Sequence, residues 1–141
     1  MSRVYWDSML FIYLLEGNPV FGSRVMKLHE AMARRGDILC TSIFTLGEVL
    51  TGPHKRNDKA GVRGIKEFFT GKDLQILPFD FDASDRYSII RSQRNVSQAD
   101  AIHLATAAVA GVDLFVTNDA KLRTLLIPGI KFFTDLDGKL A

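Results

Sequence analysis

A chain of 141 residues, 47% hydrophobic and 24% charged, has the size and balance of one globular domain that buries its own core. One cysteine rules out an internal disulfide and favours a reducing, cytoplasmic setting, and a net charge of +2 does not by itself establish nucleic-acid binding. The apolar stretch Met9 to Leu15 lies between Asp7 and Glu16, too short for a secretory signal core or a membrane span.

In chain order, Val4-Tyr5-Trp6 predicts a short strand ending at Asp7. Ser8 to Leu15 is apolar nearly all round and predicts a buried helix. Asn18-Pro19 predicts the start of a second helix, which runs through Met26, Leu28 and Met32 to Arg35 with Gly36 as its stop. Ile38 to Thr41 predicts the second strand, holding Cys40 as a small buried side chain. A helix from Ser42 to Thr51 should close at Gly52-Pro53, followed by a basic loop and an amphipathic helix over Lys59 to Phe69. Gln75 to Phe79 predicts a strand, Asp82 to Arg94 a helix, and Ser97 to Ala110 another. Asp113 to Thr117 predicts a strand, Ala120 to Leu126 a helix, and Lys131-Phe132-Phe133 a last strand. Strands separated by helices require crossover connections, so the expected architecture is a three-layer α/β/α sandwich with a mainly parallel sheet.

Four acids fall where such a sheet binds ligands. Asp7 and Asp119 follow the carboxyl ends of strands, the usual ligand edge of an open α/β sheet. Glu48 lies in the helix after the second strand, and Asp100 in the first turn of the helix leading into the Asp119 strand. Asp7 and Asp119 also suit helix caps, and Ser97-Gln98-Ala99-Asp100 has capping-box spacing. Thr45-Leu46-Gly47-Glu48 shares that spacing, but a cap there would leave a very short helix. Cap and ligand are compatible roles. Two carboxylates about 4 Å apart repel by roughly 4 kcal/mol at an effective dielectric near 20. Four ionised acids in one cleft therefore need a cation or must take up protons. Hard oxygen donors select Mg²⁺ or Mn²⁺, and no Cys/His cluster has zinc spacing.

Val4-Tyr5-Trp6-Asp7-Ser8, Thr45-Leu46-Gly47-Glu48-Val49, Gln98-Ala99-Asp100-Ala101-Ile102-His103-Leu104-Ala105 and Phe115-Val116-Thr117-Asn118-Asp119 together resemble the PIN-domain nucleases. Within them, size and order resemble the VapC-type toxins of toxin–antitoxin pairs. The match spans nearly all of residues 1–141 as one PIN-like unit, with Ile89-Ile90-Arg91 also fitting. Met9 departs from the small polar residue that many members carry two places after the first Asp. The resemblance implies an endoribonuclease that cleaves RNA by metal-activated water and is inhibited by a cognate antitoxin. It makes Asp7, Glu48, Asp100 and Asp119 the catalytic and metal-binding residues. Asp7 and Asp100 would be the central ligands, with Glu48 and Asp119 binding directly or through water.

Ser8, Thr117 and Asn118 are candidates to orient water or phosphate oxygens, or simply to cap helices. His54, Lys55, Arg56 and Arg91 are candidate RNA phosphate contacts. His103 reads as a packed or solvated helix residue rather than a general base. Part of Phe11, Tyr13 or Leu14 is expected to stay exposed for an antitoxin, and a second copy of the chain is left open as a partner; a membrane is not expected. The alternatives are a PIN-fold module that binds RNA or protein without turnover, and a haloacid-dehalogenase-like phosphatase suggested by Asp80-Phe81-Asp82. Against the phosphatase, too few residues follow that motif to complete its sheet.

Overall fold

A computed structural model describes residues 2–137. Five strands, β1 (Arg3–Trp6), β2 (Ile38–Ser42), β3 (Leu74–Leu77), β4 (Leu114–Val116) and β5 (Phe132–Thr134), form one all-parallel sheet in the order β3-β2-β1-β4-β5. The helices are α1 (Ser8–Leu15), α2 (Gly22–Arg35), α3 (Ile43–Lys55), α4 (Lys59–Phe69), α5 (Phe81–Gln93), α6 (Gln98–Ala110) and α7 (Ala120–Arg123).

Successive strand side chains point to opposite faces, and β1 divides accordingly. Tyr5 packs with α5, α6, Phe115 and Phe133, whereas Val4 and Trp6 pack with α1 to α4 through Leu10, Phe11, Val25, Val49 and Phe69. Each face is therefore covered by helices, which gives the α/β/α sandwich and explains why the central strands are apolar throughout. After β1 the chain crosses to β2 and β3 on one side and later to β4 and β5 on the other. The strand order thus switches beside β1, where open α/β sheets leave a crevice at the carboxyl ends.

Several boundaries differ from expectation for local reasons. The α2 helix begins at Gly22 because Asn18 Oδ1 accepts the amides of Val20 and Phe21, each at 2.8 Å, turning the chain before the helix starts. Gly36 does end it, at φ 73°. Pro53 does not stop α3: Ser42 caps the start through Phe44 N, and the helix runs on to Lys55 with Pro53 buried near its end. The Arg56 and Asp58 amides still reach the Gly52 and Pro53 carbonyls, so the missing proline N–H costs little this late. The β3 strand stops at Leu77, since Pro78 has no N–H for the ladder. Asp80 caps α5 through Ala83 N, so the Asp80-Phe81-Asp82 motif is a helix start. The α7 helix is cut to one turn as Thr124 and Leu125 bond three residues back, to Lys121 and Leu122. The α1 helix is buried on one side only, at Ser8, Leu10 and Phe11, with Met9 43% exposed. No described helix is long and apolar enough to cross a membrane.

Candidate active site

Trp6 pairs with Val116 in register, so Asp7 and Thr117 leave adjacent strands side by side at the switch point. The Thr117 hydroxyl donates to Asp7 Oδ2 at 2.5 Å and also accepts from Asp119 N at 3.1 Å. Asp7 Oδ1 is buried without a hydrogen-bond partner. Asp7 occupies the cap position of α1 but makes no capping hydrogen bond. Burial pushes its acid above the ordinary carboxylate range, opposed by the Thr117 hydroxyl and by His103.

A cleft of about 250 Å³ opens here, lined by Asp7, Met9, Tyr13, Asp100, Thr117, Asn118 and Asp119. Asp100 enters from the first turn of α6, whose start Ser97 caps by accepting Asp100 N at 3.1 Å. The carboxylate of Asp100 is left out of that cap. Asp119 does cap α7, with Oδ1 accepting Lys121 N at 2.9 Å.

Glu48 stands outside the cleft lining. Its Oε1 accepts the Ser8 hydroxyl and lies 2.6 Å from His103 Nε2. Burial alone would raise its acid, but the His103 and Ser8 hydrogen bonds outweigh burial and hold it below the ordinary range. Among the described residues no hydrogen bond reaches Oε2. Asp7 and Glu48 therefore share one arrangement, with one oxygen tied by a hydroxyl and the other without a hydrogen-bond donor.

The sequence-derived candidates separate as follows. Asp7, Asp100 and Asp119 share the cleft, whereas Glu48 is outside its lining and bonds to Ser8, the neighbour of Asp7. No three His, Cys, Asp or Glu side chains among the described residues stand close enough to hold one metal ion. Ser8 and Thr117 have their hydroxyls committed to Glu48 and Asp7, leaving Asn118 facing the cleft with Nδ2 3.4 Å from Tyr13 Oη. None of His54, Lys55, Arg56 and Arg91 lines it. Arg56 pairs with Glu16 at 2.8 Å, at the far end of the eight-residue α1, about 12 Å along the helix from Asp7. Arg91 lies 5.9 Å over the Tyr87 ring. Phe11 is wholly buried, while Tyr13 and Leu14 are half-buried.

The place of Tyr13 in the cleft lining and the bonded role of His103 escaped the sequence reading, which gave Tyr13 only to an antitoxin. Tyr13 had a signal, four residues after Met9 and so on the same helix face. The Tyr5–His103 contact, across 98 residues, had none. Cys40 is buried, its thiol pushed up to about 12 by burial, which removes it as a nucleophile.

The donor set fits a hard divalent cation. A buried carboxylate oxygen without a donor is costly unless a cation or proton meets it. Mg²⁺ is ordinarily held by one or two carboxylates with several waters retained, so a tight protein cage is not required.

Comparison with known proteins agrees with this architecture. Among solved structures, the chain is similar to VapBC2 from Rickettsia felis bound to a DNA fragment from its promoter, with TM-score 0.76 and 16% identity, covering 94% of this chain and 98% of that one. It is also similar to VapC20 of Mycobacterium tuberculosis, described as a Sarcin-Ricin loop cleaving toxin, with TM-score 0.72, 15% identity and coverage of 86% and 93%. A toxin–antitoxin complex from Klebsiella pneumoniae matches with TM-score 0.64, 22% identity and coverage of 90% and 94%. At these identities the likeness is one of fold. Curated protein sequences give no match. The PIN domain family model matches residues 4–125, from β1 through α7 and across every acid considered above, and the chain therefore belongs to the PIN domain family.

Proposed function

We propose that this protein is a metal-dependent ribonuclease acting in the cytoplasm as the toxin of a toxin–antitoxin pair. The observation that carries the reading is the buried, unpartnered Asp7 Oδ1 beside Asp100 and Asp119 at the sheet's switch point. Mg²⁺ or Mn²⁺, held by Asp7 and Asp100 with Asp119 and Glu48 directly or through water, would supply Lewis-acid activation of water and neutralise charge on the phosphate. The chain's own residues do the positioning. Thr117 ties Asp7 Oδ2 and the Asp119 amide with one hydroxyl, so Asp7 and Asp119 keep a fixed relation. Ser8 holds Glu48 next to Asp7. Asn118 and Tyr13 present an amide and a phenol to a phosphate or sugar entering the cleft. Lys121, exposed two residues after Asp119, replaces the more distant basic residues as the first candidate phosphate contact.

The antitoxin reading draws on the solved complexes of similar fold. Exposed Met9 with half-buried Tyr13 and Leu14 offers an apolar strip beside the acids, onto which such a partner would lay a basic side chain.

Purified free of any inhibitor, the protein should cut RNA with Mg²⁺ or Mn²⁺ and stop with EDTA. Asp7→Asn and Asp100→Asn should each lose most activity and the double variant little more, because residues acting as a unit are not additive. Equal cleavage in EDTA would overturn the reading.

A further inference from the structure

The side chains of Tyr5, His103, Ser8 and Glu48 form a connected chain from the core to the carboxyl end of β1, buried at its first three members. Tyr5 is fully buried, His103 is 3% exposed and Ser8 7% exposed. Tyr5 Oη lies 2.6 Å from His103 Nδ1, and His103 Nε2 lies 2.6 Å from Glu48 Oε1 and 3.1 Å from Ser8 Oγ. Edge-on contacts with the Tyr5 and Phe44 rings, at 5.8 and 5.7 Å, fix the plane of the imidazole.

The Glu48 end of this chain has a fixed polarity. The Glu48 carboxylate accepts, so Nε2 must carry a hydrogen and Ser8 must donate its own. Burial keeps the proton on the Tyr5 phenol, against opposing hydrogen bonds from Thr41 and Thr45. His103 Nδ1 is the ring nitrogen beside that hydroxyl. The Tyr5 hydroxyl thus anchors the Nδ1 side of the ring while Nε2 faces Glu48.

We propose that His103 is the positioning residue for Glu48: the Tyr5 hydroxyl and the Tyr5 and Phe44 rings hold its imidazole, and its Nε2–H ties Glu48 Oε1 while Oε2 keeps no donor. The proposal rests on the ribonuclease reading only for what Oε2 then does. Glu48 sits on a helix side chain with several rotatable bonds, 28% exposed, so without the His103 tie only Ser8 would restrain it. Partners of this kind, one bond removed from a metal-facing group, typically change metal affinity or activity about 10- to 100-fold when removed.

The chain has 3 histidines, which makes the test direct. Replacing the other two, His29→Gln with His54→Gln, leaves His103 as the sole source of imidazole signals in a long-range ¹H–¹⁵N spectrum. The expected spectrum shows a hydrogen on Nε2, and the Nδ1 signal should move on Tyr5→Phe in that background. A ring carrying its hydrogen on Nδ1 alone, or a spectrum unmoved by Tyr5→Phe, would overturn the proposal. In the full chain, the Mn²⁺ concentration at half-maximal melting shift should rise about 10-fold in Tyr5→Phe and in His103→Leu. His103→Gln, which restores a donor near the Nε2 position, should recover part of it; equal loss in Gln and Leu variants would reduce His103 to packing. A wild type that neither cleaves RNA nor responds to Mn²⁺ would sink the ribonuclease reading instead, with the tautomer spectrum still deciding the Tyr5–His103–Glu48 assignment.

Discussion

The Asp7 carboxylate has one oxygen on the Thr117 hydroxyl and the other buried without a donor, and this asymmetry governs how the metal-free protein responds to pH. Burial raises the Asp7 acid above its ordinary range. As pH climbs past about 4, the unfolded chain releases this proton first. The folded state holds it longer and is penalised progressively until the pH passes the folded value; below the unfolded range both states are protonated and the penalty vanishes. Asp7→Asn removes the titration. Without metal, the melting temperature of wild type minus that of Asp7→Asn should therefore grow more negative as pH rises above about 4. A flat or rising difference would contradict the burial argument. At this scale the sequence was legible where chemistry is local: Asp7, Asp100 and Asp119 follow strand ends or open helices, and all three share the cleft. It named Glu48 but was silent on its partners, since that side chain is tied to Ser8 and His103 across 40 and 55 residues, separations no local pattern encodes.

Elements were readable where one strong signal dominates. The α4 helix and the α1 helix match their expected spans because amphipathic or apolar periodicity runs unbroken between clear stops. The α3 helix outruns its Gly52-Pro53 signal because burial of Pro53 and a late position make the lost hydrogen bond affordable. Two glycines test the same competition between local preference and packing. Gly129 has φ 102°, and an added Cβ there would overlap the Ala108 carbonyl oxygen, tying the segment before β5 closely to α6. Gly64 lies within α4 with nothing within 4 Å of an added Cβ. Gly64→Ala should raise stability by about 0.5–1 kcal/mol through the helix preference of alanine. Gly129→Ala should lower it by more than that gain, since both the positive φ and the overlap oppose a side chain. Denaturant melts of the two variants check this; equal effects of the same sign would mean that the α6–Gly129 contact does not constrain the chain.

For the whole molecule, alternation of strands and helices was enough to expect a parallel sheet between helical layers, because parallel strands cannot be joined without crossovers. The order β3-β2-β1-β4-β5 was not legible, since pairing of Trp6 with Val116 depends on packing across more than a hundred residues. Yet that order creates the site: it sets the carboxyl ends of β1 and β4 side by side where the winding reverses, and Asp7 and Thr117 to Asp119 follow from it. The account stands on Asp7 being a cation ligand in this cleft, and melting wild type and Asp7→Asn across a Mn²⁺ titration at constant ionic strength and pH tests that most directly. Ligand that binds only the folded state stabilises it by RT ln(1 + [L]/Kd), so the wild-type melting temperature should climb steadily with Mn²⁺, by the equivalent of about 2.7 kcal/mol at a hundred times Kd. Asp7→Asn, no less stable than wild type without metal at neutral pH, should lose most of that climb. A wild type indifferent to Mn²⁺, or an Asn variant that climbs equally, would contradict the account.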